Sequence, residues 1–182
     1  MIQAIAVLIF IAQPAAAHAK TVDAVLHETT GFVMGYGGPE MALFLNPNSV
    51  RGHSLYEEMV PYMAHYAWRM YIIPVGFTAQ GRLLAAAEIA APNVQAAIAE
   101  DERKFDVLAK HGGYPIQETQ KDNPRILAIA SIREKDNVRA LKTLGKAVTP
   151  CLVWEAHGHW HIRYRPNIQT VKKAAESLEN KG

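Results

Sequence analysis

The sequence predicts an α/β domain that runs strand, helix, strand, a block of helices, then strand, strand and helix. Three observations carry this. The apolar run 41–45 passes through Asn46-Pro47-Asn48-Ser49 into a stretch where Leu55, Met59, Met63 and Tyr66 recur every three to four residues. That period puts them on one face of a helix. Residues 68–77 are rich in β-formers, although Pro74 and Gly76 predict that the regular part ends early. Residues 152–154 and 159–163 read as two strands joined at Ala156-His157-Gly158, and 167–178 as a closing helix.

The central block is helical for local reasons. The first helix, 49–67, contains Pro61, which removes a hydrogen bond and bends it. Residues 82–91 are rich in alanine and leucine and are stopped by Pro92. Asn93 can cap a helix over 94–110, with Gly112-Gly113 as its stop. Residues 114–123 are polar and read as loop. Pro124 suits a first helical turn, and one or two helices follow, ended by Gly145.

At 182 residues, 49% hydrophobic and 20% charged, the chain can bury one ordinary core, so one folded domain is expected. The net charge of +2, with no basic run interleaved with aromatics, argues against a nucleic-acid partner. There is one cysteine, Cys151, so no intramolecular disulfide can form. Residues 1–19 read as a secretory signal peptide, with an apolar run over 4–12, a break at Pro14 and a small-x-small site at Ala17-His18-Ala19. The run is too short to span a bilayer, so no membrane association is expected after cleavage before Lys20. Residues 20–40 form an N-terminal extension. Val22, Val25 and Leu26 have helical spacing there, but the stretch is too short to assign, and Gly35, Gly37 and Gly38 make its end flexible.

The stretch 44–59, FLNPNSVRGHSLYEEM, resembles the active-site segment of periplasmic thioredoxin-fold disulfide isomerases and reductases of the DsbC/DsbG type. In that family the strand ends in an Asp/Asn-Pro-x turn, followed by Cys-x-x-Cys-His/Lys and a helix. Here Ser49 and Gly52 stand at the two cysteine positions, with Val50 and Arg51 between them and His53 after. Residues 69–77, RMYIIPVGF, resemble the family's second core strand, and 91–113 is similar to the helical insertion of DsbG-like proteins. Val148-Thr149-Pro150 matches the element whose proline is cis in that fold and faces the Cys-x-x-Cys turn. The resemblance implies a thioredoxin-like fold over 41–182 with a helical insertion at about 81–144, and a periplasmic location. The family's N-terminal dimerisation domain has no counterpart in 20–40, so a monomer is expected.

The dithiol itself is absent. Thiol–disulfide exchange needs a thiolate to attack sulfur and a second thiol to resolve the mixed disulfide. A serine hydroxyl at a helix N-terminus stays protonated at neutral pH, whereas a cysteine there is acidified. Gly52 has no side chain at all. The degenerate positions Ser49, Val50, Arg51, Gly52 and His53 are therefore read as redox-dead. Ser49 suits the role of helix N-cap better than that of a nucleophile, because the Gly-x-Ser-x-Gly elbow is missing and His53 is the only nearby base. His53 reads as a first-turn surface residue and Arg51 as a solvated arginine, with carboxylate binding as its functional alternative.

Cys151 follows Pro150 and starts a strand, so it reads as a buried core thiol. The alternative is a free thiol that forms mixed disulfides, which would make the protein a monothiol enzyme. His157, His159 and His161, near Glu155, read as the polar side of a hairpin with Trp160 and Ile162 inward. Their alternative is a zinc or copper site. The expected function is non-catalytic: binding of unfolded or extended polypeptide clients, with Thr149, Pro150 and Cys151 at the peptide-binding edge. No cofactor is expected.

Overall fold

The computed structural model describes residues 21–37, 40–66, 68–115 and 121–179. The proposed signal peptide lies outside them. A five-stranded mixed sheet is the frame, in the order β1-β3-β2-β4-β5. The strands are β1 (Phe32–Met34), β2 (Glu40–Leu45), β3 (Arg69–Pro74), β4 (Cys151–Ala156) and β5 (His159–Tyr164). β2 runs parallel to β3 from Glu40↔Arg69 to Leu45↔Pro74, and antiparallel to β4 with Phe44 opposite Cys151. This is the thioredoxin-like α/β fold that the sequence predicts.

Alternation along the central strands sends side chains to both faces. Met41, Leu43, Leu45, Met70, Ile72, Leu152 and Trp154 pack on one side. They are covered by α2 (Val50–Tyr66) and α6 (Ile168–Glu179), with Leu55, Met59, Met63, Val171 and Ala175 in the same cluster. Ala42, Phe44, Ile73, Val75, Cys151 and Val153 form the opposite face. That side is closed by Val25 of α1 (Val22–His27) and by Ala140 and Leu141 of α5 (Pro124–Thr143). Both faces of the two innermost strands are buried, which explains the near-continuous apolar runs there.

Local chemistry sets most boundaries where the residues predict them. Pro61 lies inside α2. Asn93 caps α4 (Val94–Arg103) by accepting the Ala96 N–H at 2.9 Å, and Pro124 opens α5 as a single helix behind an Asn123 cap. Asn167 accepts the Thr170 N–H at 3.0 Å at the start of α6. His157 and Gly158 both have positive φ, 53° and 74°, which makes the tight β4–β5 turn.

Two elements differ from expectation. The sheet begins before residue 41, because Phe32, Val33 and Met34 pair antiparallel with Ile72, Tyr71 and Met70. Three residues are too few for a periodic signal, and the strand exists only through its partner. α4 ends at Arg103, seven residues before the predicted end at 110. Asp101 draws the chain back: its Oδ1 accepts the Tyr114 N–H at 2.7 Å, and its carbonyl accepts the Gly113 N–H at 3.2 Å. Asp106 and His111 then pair their backbones in a small bridged loop.

Candidate functional site

The degenerate motif and the proline loop lie at one end of the sheet. β2 delivers the chain through Asn46–Ser49 into the first turn of α2, and β4 leaves Thr149-Pro150 at the same end, since Phe44 faces Cys151. The Thr149–Pro150 peptide is cis. Asn46 Oδ1 accepts the Asn48 N–H at 3.0 Å, and Asn48 Nδ2 lies 3.4 Å from Oγ1 of Thr78, the N-cap of α3 (Ala79–Ala90).

Ser49 caps α2: its Oγ accepts the Gly52 N–H at 3.0 Å, and its carbonyl accepts the His53 N–H at 2.8 Å. The hydroxyl is thus held by the backbone it terminates, and no hydrogen bond joins it to His53. Gly52 is buried, and an added Cβ would stand 3.1 Å from Leu45 Cδ1 and 3.2 Å from Ser49 Cβ. The second position is filled by packing. Arg51 is exposed, and Val50 is half-buried.

His53 is not a free surface residue. Its Nδ1 lies 2.8 Å from Oε2 of Glu102 in α4, and its ring stacks on Phe105 at 4.5 Å and 6° between planes. Glu102 is 2% exposed, and two further carboxyls, Glu88 of α3 and Asp101 of α4, are buried with it. Burial lifts Glu102 to about 8, with the charges of Asp101 and Glu57 adding to the shift. Burial also lifts Asp101 to about 6, against the Tyr114 N–H and His111, which hold it down. Glu88 is raised well above the carboxylate range by burial first, then by Asp101 and Glu102. Tyr56, on α2, is raised to about 12 by burial and by Glu102, Glu57 and Glu88. Asp101 Oδ2 and the Tyr114 hydroxyl are buried with no hydrogen-bond partner. Sequence reading missed this acidic group, yet a signal was present. Asp101 and Glu102 stand four residues after Ala97 and Ile98, on the helix face those apolar residues bury.

Cys151 is 0% exposed, and burial pushes its thiol up to about 12. A thiol that stays protonated and enclosed is a poor nucleophile. His157 and His161 border one cavity of about 370 Å³ between the hairpin and α6. His157 and His159 are exposed, while His161 stacks on Trp154 at 4.9 Å; Trp160 and Ile162 turn to the opposite face. Among the described residues, no group of three or more His, Cys, Asp or Glu is arranged to hold a metal ion. A cavity of about 470 Å³ lies at the far end of the sheet, lined by α1, the start of β2 and the end of β4, and so takes in none of the predicted site residues.

No family model matches the chain, and no curated protein matches it. Solved structures do. A periplasmic thioredoxin-like protein from Salmonella enterica serovar Typhimurium superposes with a TM-score of 0.61 at 15% identity, covering 87% of this chain and 96% of that one. The thiol-disulfide exchange protein alpha-DsbA2 from Wolbachia pipientis gives 0.60 at 13% identity, covering 86% and 91%. A linker-deletion variant of Proteus mirabilis ScsC gives 0.59 at 13%, covering 88% and 79%. These likenesses establish the thioredoxin fold. Among the described residues, no helix is long and apolar enough to cross a membrane.

Proposed function

We propose that this chain is a redox-inactive thioredoxin-fold protein of the bacterial periplasm that binds extended or unfolded polypeptide beside Thr149 and cis-Pro150, as a holdase or accessory factor. The carrying observation is the pairing of an intact proline loop with a dead nucleophile position: cis-Pro150 stands at the same sheet end as Ser49 and Gly52. Loss of the dithiol removes exchange chemistry but leaves backbone at Thr149 beside a sheet end, where an extended chain can pair. The solved neighbours include a thiol-disulfide exchange protein and a periplasmic thioredoxin-like protein, which supports descent from such a scaffold. The resemblance of 44–59 and 91–113 to DsbG-like proteins favours that branch, and the signal-like segment 1–19 supports export. A monothiol enzyme built on Cys151 is disfavoured by the burial of its sulfur.

Two readouts on the purified protein test the proposal: suppression of aggregation of a reduced, denatured protein, and turnover of a mixed glutathione–peptide disulfide. Suppression without turnover is expected. Turnover that disappears in Cys151→Ser would overturn the redox-inactive assignment. Failure of both would remove the client-binding role.

A further inference from the structure

The buried acidic group lies at the C-terminal end of α4, a helix whose earlier turns are anchored by Ile98 in the main core and by Ala97 against Ala87 and Ala91. α4 and the segment after it meet α2 through the His53–Glu102 contact and the His53–Phe105 stack. Between Lys104 and Tyr114 there is no helix or strand of the sheet; the segment is held by the Asp106–His111 bridge, by the Ala109 N–H donated to Asp106 Oδ1 and by the two bonds that return to Asp101. The tip of this loop, Leu108, is 94% exposed.

We propose that the His53–Glu102 contact, backed by Glu88 and Asp101, is a proton-controlled latch that docks the last turn of α4 and its following loop on the first turn of α2 and releases them in alkaline solution. The groups facing Glu102 can be enumerated. α2 brings His53, Tyr56 and Glu57, α3 brings Glu88 and α4 itself brings Asp101, while His111 and Tyr114 of the returning segment face Asp101 and Glu88. Phe32 and Met34 of β1 join the neighbouring core and carry no charge. Lys104 pairs with Glu100, so its ammonium is engaged elsewhere. Among the described residues, His53 is the basic side chain paired with Glu102.

The consequences follow from proton count. With the carboxyls protonated the cluster holds hydrogen bonds and little charge. Nδ1 of His53 lies 2.8 Å from Glu102 and is the contact that offsets a charge there. When Glu102 and Asp101 are both ionised they are neighbouring buried anions, and a buried charge that is not fully compensated is strongly unfavourable. Carrying the last turn of α4 toward water relieves it and separates Phe105 from His53. Glu102 enters this state as it ionises near its raised value of about 8. The event lies one residue beyond Gly52, so it reshapes the surface beside the degenerate motif. The latch itself does not depend on client binding.

Native-state hydrogen exchange on the full chain, near pH 6 and near pH 9 and corrected for intrinsic rates, tests it. Protection of the last turn of α4 and of 104–114 is expected to fall by about ten-fold or more at the higher pH, and that of β2 and β4 by clearly less. Glu102→Gln should lose most of that difference, because a neutral amide can hydrogen-bond Nδ1 at either pH. Equal protection of the last turn of α4 and of 104–114 at both pH values would overturn the latch. So would an equal loss in β2 and β4, which would mark global unfolding, or an undiminished difference in Glu102→Gln. Should that variant not fold, carboxyl carbon-13 titration of the wild type decides: a Glu102 midpoint near the ordinary value of about 4.3 overturns the proposal, and one well above it supports it.

Discussion

Asn137 of α5 holds the backbone of Thr30 from both sides, accepting its N–H at Oδ1 and donating from Nδ2 to its carbonyl, each at 2.7 Å. The same Nδ2 reaches the carbonyl of Pro74 at 2.8 Å, and Asn137 is 0% exposed. One amide thus fixes the lead into β1 and the end of β3. Asn137→Leu takes this partner from three backbone groups, the buried Pro74 carbonyl and the part-buried N–H and carbonyl of Thr30, at about 1–3 kcal/mol for a fully buried group and less for the other two. A loss of about 3 kcal/mol is expected, read as a lower urea midpoint with an unchanged slope.

Restoring the dithiol should restore chemistry. Gly52 has ordinary helical φ, and the atoms closest to an added Cβ, at 3.1–3.3 Å, are all side-chain atoms, of Leu45 and Ser49. The double variant Ser49→Cys/Gly52→Cys is expected to form an internal disulfide and to reduce insulin, with no reduction expected of the wild type. The thiol at position 49, at the N-terminus of α2, should titrate below the free-cysteine value of about 8.5, seen as thiolate absorbance. An inert dithiol would mean that the rest of the site has lost its shape as well.

Cys151 gives a sharp negative. Buried and pushed up to about 12, its thiol should ignore Ellman's reagent in the native protein at pH 8 and react stoichiometrically in guanidinium. Native-state labelling at the unfolded rate would show that β4 opens.

The buried acids set the direction of pH dependence. Their folded values are raised above the unfolded ones, so their stabilisation is complete below the unfolded carboxyl range and is lost as pH rises through the folded values. For Asp101 and Glu102 that window closes near about 6 and about 8. The denaturation midpoint is therefore expected to fall from pH 5 to pH 9. Glu88→Gln, which removes one of the three acids, should flatten that slope and raise the midpoint at pH 8 above that of the wild type.

Much of this was legible from residues because it is local. The period of Leu55, Met59 and Met63, the cap at Asn93, and Pro124 at the start of α5 each act within a turn of helix. β1 was not legible, since Phe32–Met34 becomes a strand only against β3. The shortened α4 was hidden because Asp101 competes for the chain with a side chain, a contact no propensity encodes. His53 read as a surface residue because its partner lies 49 positions away on a helix whose acids look solvent-facing by type. Spacing, not residue type, placed Glu102 inward.

The helical block between β3 and β4 is not a detachable ornament. α5 supplies Ala140 and Leu141 to the sheet face formed by Ala42, Phe44, Ile73 and Val153, and its Glu134 accepts the Gly76 N–H at 2.9 Å. A chain spliced from Phe77 to Lys146 would lay that apolar face open to solvent and set loose the backbone that Asn137 ties down. α4 closes the other face, where Ile98 packs with Met34, Met70 and Ile72, and Glu102 at its far end holds His53. Shortening the block from either side therefore uncovers one face of the sheet or strips His53 of its partner.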